Sequence, residues 1–159
     1  MVFAPGRRTP KDIYNLFRGW PYAAVPTTWE DTLDNATVPV KGDWSMLRAH
    51  IFENMCESKP EYFEWFMTWL AHLFQQPDRK PGSTVVVTGE KGVGKSTLFD
   101  YINQLLGRHG ITVSQRKQIV GQFNGHIATC LLMVCEEAFW AADPQAEGVM
   151  KDMITNKSV

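Results

Sequence analysis

The sequence predicts an α/β fold: a parallel sheet flanked by helices, preceded by a small helical subdomain. Three observations lead there. Two short runs, the β-branched STVVVTG (Ser83–Gly89) and the apolar LLMVC (Leu131–Cys135), read as strands buried on both faces. Helical patterns alternate with these runs, which is the order of a parallel sheet covered on both sides. A glycine-rich turn, GEKGVGKS, leads from the first run directly into a helix. The boundary falls near residue 80. Residues 1–80 form a helical, aromatic-rich subdomain, and 81–159 form the N-terminal part of the sheet domain.

Residues 1–42 are rich in Pro, Gly, Thr and aromatics and have weak periodicity. Only Lys11–Phe17 reads as a short helix. Phe3, Tyr14, Phe17, Trp20, Tyr22 and Trp29 suit a segment that packs over a neighbour better than a disordered one. Asp43–Cys56 reads as an amphipathic helix, with Trp44, Leu47, Ile51 and Met55 on one stripe and Asp43 as its cap. A second helix follows, with Ser58 and Glu61 spaced as a capping box and Pro60 in its first turn. Phe63, Phe66, Met67, Leu70, Leu73 and Phe74 give this helix a full apolar face, and Pro77 ends it. Trp65 and Trp69 form a stripe beside that face, fit either for core packing or for a subunit interface. DRKPG (78–82) is the linker. After the glycine turn a helix runs from about Lys95 to Leu106, with Gly107 as its stop. Ile111–Ser114 reads as a further strand, and Pro144–Thr155 as the last helix.

Composition narrows the function classes. The 159 residues carry 16 Lys+Arg against 17 Asp+Glu, a formal net charge of −1, so the chain as a whole is no electrostatic nucleic-acid binder. Three cysteines, with no C-x-x-C pair, fit neither a disulfide framework nor a zinc site and suit reduced thiols in a cytoplasmic protein. The longest apolar run, Ile127–Cys135, is half what a membrane helix needs, and the N-terminus has no signal-peptide core. No membrane partner is expected.

Gly89-Glu-Lys-Gly-Val-Gly-Lys95-Ser96 matches G-x-x-x-x-G-K-[ST], the P-loop pattern, at every fixed position. Gly89, Gly92 and Gly94 allow backbone angles closed to other residues and leave room for a phosphate. Backbone N–H groups then point inward, and the following helix offers its N-terminus to the same anion. Lys95 is placed for the β- and γ-phosphates, Ser96 for Mg²⁺, and Thr97 completes the nucleotide-binding set. ATP with Mg²⁺ is the expected cofactor.

LLMVCEEA supplies the carboxylates such a loop requires. Glu136 and Glu137 stand where the carboxyl end of a parallel strand meets a ligand crevice. Adjacent residues on a strand point to opposite sides, so Glu136 is assigned to the metal, through water, and Glu137 to the attacking water. P-loop enzymes more often place Asp first. Asn124 and His126 are read as structural residues, and His72 as a surface or interface residue.

YNLFRGW, WLAHLFQQPDRKPGSTVVVTGEKGVGKST and QFNGHIATCLLMVCEEAFWAADPQAEGVMKDMIT together resemble the helicase half of phage and mobile-element primase–helicases. These belong to superfamily 3, a branch related to the AAA+ ATPases. The resemblance runs from about Tyr14 to Thr155. It implies an ATP-driven, ring-shaped homo-oligomer that moves on single-stranded DNA during replication. It also implies that Lys95 and Ser96 hold ATP and Mg²⁺, that Glu136 and Glu137 are the acidic pair, and that the region after Lys151 leads to a DNA-contacting hairpin. The family's hairpin, polar sensor and arginine finger come later than Val159, and its primase half comes earlier. The expectation is therefore a shortened sheet and an ATPase module incomplete by itself. Two other readings compete. A P-loop kinase for a nucleoside or other small molecule would show acceptor-dependent phosphoryl transfer; only Arg108 and Arg116 follow Ser96, and no Arg-rich lid is evident. An assembly module would bind nucleotide without turnover. DNA-stimulated hydrolysis would mark the helicase module.

Overall fold

The computed structural model describes residues 1–22, 42–115, 125, 127–136 and 144–155. Over these the fold is mixed α/β, with four α-helices and a two-stranded parallel sheet. Helix α1 (Ser45–His50) runs on into a π-helical turn, Ile51–Met55. Helix α2 spans Pro60–Gln75, α3 spans Lys95–Leu106, and α4 spans Pro144–Thr155. Strand β1 (Gly110–Val113) pairs in parallel with β2 (Leu132–Cys135), from Gly110 opposite Leu132 to Val113 opposite Cys135.

The first helix starts two residues after Asp43, whose carboxylate accepts the Ser45 N–H at 2.8 Å. That bond holds the Asp43 carboxyl below its usual range. The Ser58–Glu61 capping box does not form. Lys59 is the N-cap, no side chain caps α2, and Pro60 takes the first helical position. Glu57 and Ser58 both lie at positive φ, 53° and 55°, in the four-residue turn Cys56–Lys59 between the π-helical segment and α2. In that conformation the Ser58 N–H donates to the Phe52 carbonyl at 2.8 Å and closes the end of the π-helical segment, while the first N–H groups of α2 have no side-chain cap.

The main core draws on both helical layers and the sheet. Ile51, Cys56, Phe66, Leu70 and Leu73 meet Leu98, Ile102, Leu106 and Leu132 in one cluster. Leu98, Ile102 and Leu106 are spaced four apart, so α3 turns a single stripe inward. Phe63 of α2 lies edge-on to Phe52 at 5.6 Å and under the Arg48 guanidinium at 5.1 Å, joining α2 to α1 as its apolar face predicts. The two tryptophans separate. Trp69 stacks on Phe66 and packs against the core, whereas Trp65 is 51 % exposed. A smaller cluster joins Val113 of β1 to Met150 of α4.

The N-terminal segment packs as its aromatics predict, but it is not helical. Lys11–Phe17 forms turns and one parallel bridge, Val2 with Asn15. The reason is Asn15. Its Oδ1 accepts the Ala4 and Phe17 N–H groups, and its Nδ2 donates to the Ala4 carbonyl, so the side chain satisfies backbone groups that a helix would otherwise pair. Phe17 stacks on the buried His109 at 5.0 Å and meets Trp20 edge-on. Trp20 in turn lies on Phe74 of α2. Arg7 clamps Asp78 at 2.9 Å at the far end of this strap. Trp29 lies outside the described residues.

Ser83–Gly89, expected as a buried strand, is not one. The segment has no ladder partner, and Val86 is 80 % exposed, although Val85 packs against the main core. A β-branched run becomes a strand only when a neighbour pairs its N–H and C=O groups, and no described segment does so here.

Candidate functional site: a glycine loop and a strand end on one cleft

The loop between Gly89 and α3 is shaped by its glycines. Gly89, Gly92 and Gly94 have φ of 152°, 93° and 81°, a region that side-chain-bearing residues seldom occupy. An added Cβ at Gly92 would meet nothing within 4 Å, so the loop faces open space there. Gly94 is the N-cap of α3 and starts it through the Leu98 N–H to Gly94 O bond, 3.2 Å. Lys95, the first helical residue, curls back over the loop. Its ammonium donates to the Gly89 carbonyl at 2.8 Å and the Glu90 carbonyl at 2.7 Å. Among the described residues these neutral oxygens are its partners, and no carboxylate pairs with it.

A cleft of about 1600 Å³ opens beside this loop. Gly92, Gly94, Lys95, Ser96 and Thr97 line it, and so does Glu136. Ser96, Thr97 and Glu136 are exposed to solvent. Glu136 is carried there by the sheet. The parallel register places the ends of β1 and β2 side by side, and the Glu136 N–H donates to the Val113 carbonyl at 3.1 Å. Lys95, Ser96 and Glu136, read separately from the sequence, thus all line one cleft. Gly89 does not line the cleft but accepts from Lys95. Glu137, Asn124 and His126 lie outside the described residues.

Sequence reading missed Asp100. It sits one turn beyond Ser96 on α3 and adds a second carboxylate to the cleft. The spacing of four on a helix was the available signal. It also missed the ends of β1: Thr112 and Ser114 line the cleft, and Thr112 accepts the Asn103 amide at 3.0 Å. Apolar residues, Val85, Val87, Leu132 and Val134 among them, also line the cleft. His72, expected as a surface residue, donates to the Arg79 carbonyl at 2.9 Å and ties α2 to the linker at the cleft rim.

The thiols are quiet. Burial pushes the Cys130 thiol up to about 12, with its Sγ–H donating to the Leu132 carbonyl at 3.0 Å. Burial also raises Cys56 and Cys135. Among the described residues no group of His, Cys, Asp and Glu is arranged to hold a metal ion by itself, so a cation here would need ligands beyond the protein's own cluster. Also among them, no helix is long and apolar enough to cross a membrane.

No curated protein and no solved structure matches the chain. Residues 87–159, just under half of the chain, match DUF5906, a family of unknown function; the match takes in the glycine loop, both strands and α4.

Proposed function

We propose that the chain is the nucleotide-binding part of a P-loop ATPase, a helicase module of primase–helicase type, and that the cleft takes ATP with Mg²⁺. The observation that carries this reading is the convergence of Lys95, Ser96 and Glu136 on one cleft beside a loop of positive-φ glycines. The donor set fits the group. An ammonium held only by neutral carbonyls gains when phosphate oxygens replace them, because a full opposite charge attracts it more strongly than a carbonyl dipole does. The open space at Gly92 leaves room for that approach.

In this reading the loop N–H groups and the α3 N-terminus receive the phosphates. Lys95 swings from the Gly89 and Glu90 carbonyls to the terminal phosphates. Ser96 and Glu136 would hold the metal, the carboxylate through water, with Asp100 as a further carboxylate lining the cleft. Bound Mg²⁺ supplies charge neutralisation on the phosphates. Glu137 orients the attacking water, a role that rests on its place in the sequence after Glu136. Single-stranded DNA as the partner and a homo-oligomeric ring as the assembly rest on the sequence resemblance.

Equilibrium titration with Mg²⁺–ATP tests the reading. The parent chain is expected to bind, and folded Lys95→Ala is expected to bind at least tenfold more weakly, as the loss of a hydrogen-bonded charge implies. Equal affinity in the two overturns the assignment.

A further inference from the structure

The glycine loop is held from outside its own motif. His50, the last residue of α1, places Nε2 3.3 Å from the Gly94 carbonyl oxygen. Asn54, one turn on, places its amide nitrogen 3.0 Å from His50 Nδ1. A carbonyl can only accept, so Nε2 carries the proton and donates. Nδ1 of the neutral ring is then an acceptor, and the Asn54 N–H donates to it. The two contacts agree on one tautomer, and the relay runs Asn54 to His50 to Gly94.

The ring also occupies the space a side chain at position 94 would take. A Cβ there would lie 2.6 Å from His50 Cε1 and 3.0 Å from Nε2. Gly94 is thus required twice, by its φ of 81° and by the imidazole packed against it. The bond has a consequence for the loop. A trans peptide points its C=O and N–H in opposite directions. The same oxygen accepts the Leu98 N–H at 3.2 Å, so His50 and the first bond of α3 together hold the Gly94 carbonyl, and with it the opposed Lys95 N–H at the start of the helix that lines the cleft.

We infer that His50 is a positioning residue for the phosphate loop: beside the first bond of α3 it holds the Gly94–Lys95 peptide from the α1 side, and so couples the helical layer to what the loop binds. The ligand side of this inference rests on the nucleotide reading above; the loop side does not. His50 lies outside the segment matched to the family, on an element that the P-loop pattern does not include.

The test uses the full chain with His50→Ala and His50→Gln, read in two ways. Without ligand, the backbone amide of Lys95 is followed by NMR. His50→Ala is expected to shift it while signals of the α2 core stay in place, and His50→Gln, whose amide can still donate to the carbonyl, is expected to return it toward the parent position. With Mg²⁺–ATP, His50→Ala is expected to bind about 3- to 10-fold more weakly, the worth of one hydrogen bond, and His50→Gln to recover most of that loss. An unmoved Lys95 amide in His50→Ala overturns the inference whether or not nucleotide binds. A parent chain that fails to bind Mg²⁺–ATP, with a Lys95 amide that does respond, sinks the nucleotide reading and leaves the loop-positioning role standing. A responsive amide with unchanged affinity in a parent that does bind overturns the coupling of His50 to the ligand.

Discussion

Gly94 concentrates the demands made on single residues. Ala there must adopt a φ of 81° and place its Cβ inside contact distance of His50. Gly94→Ala is expected to destabilise the chain by more than the ~1 kcal/mol that a positive-φ glycine alone implies. Part of that cost belongs to the imidazole. The same substitution in a His50→Ala background is therefore expected to cost less, with a coupling of about 0.5–3 kcal/mol in a denaturant double-mutant cycle. Strict additivity would mean that the ring moves aside freely. The thiols give a second residue-scale expectation. Alkylation needs the thiolate, and burial holds Cys130 near 12 and raises Cys56 and Cys135. At neutral pH the native chain should react with iodoacetamide far more slowly than the denatured one, and the rate should stay low as pH rises through the ordinary thiol range. Rapid labelling of Cys130 in folded protein at neutral pH would contradict this placement.

Among the elements, the turn between the π-helical segment and α2 holds two side-chain-bearing residues in the left-handed region, Glu57 and Ser58. Each such residue costs about 1 kcal/mol, so Glu57→Gly is expected to stabilise the chain by several tenths to about 1 kcal/mol in urea unfolding. A loss of stability instead would show that the Glu57–Lys59 ion pair, 2.7 Å but solvent-exposed, outweighs the backbone term. The strap is the other element under test. Phe17 bridges His109 and Trp20, and Phe17→Ala is expected to cost about 2–4 kcal/mol and to expose the segment before Pro21 to limited proteolysis. The elements also show what the sequence could and could not reveal. Helix α3 runs from Lys95 to Leu106 and α4 from Pro144 to Thr155 as read, because Gly107 and Pro144 are local signals that need no partner. Strands β1 and β2 fall within a residue of their expected bounds. Ser83–Gly89 carries the β-branched run Val85–Val87 but has no ladder. Composition reports what a segment tolerates, and pairing is decided by what lies beside it. Asn15 defeated the N-terminal helix in a similar way, through bonds to Ala4 that no periodicity encodes.

At the scale of the whole molecule, the site joins parts far apart in sequence. The glycine loop, α3 and the end of β2 reach one cleft because the core locks α3 onto the sheet through Leu98, Ile102, Leu106 and Leu132. Lys95, Ser96 and Glu136 were legible one by one, since each follows a local pattern. Asp100, Thr112 and Ser114 became visible only with the cleft, and His50 only with the packing of α1 against the loop. The central claim is that this cleft is where a nucleotide and its divalent cation sit. Mn²⁺ in place of Mg²⁺ tests it most directly, because a paramagnetic ion broadens NMR signals near it and leaves distant ones sharp. On addition of Mn²⁺–ATP the amides of Ser96, Thr97, Asp100 and Glu136 should vanish first, those of Tyr62 and Phe66 in α2, which do not line the cleft, should persist, and excess Mg²⁺–ATP should reverse the loss. Sharp signals at Ser96 and Glu136 under saturating Mn²⁺–ATP, or broadening centred elsewhere, would contradict the account.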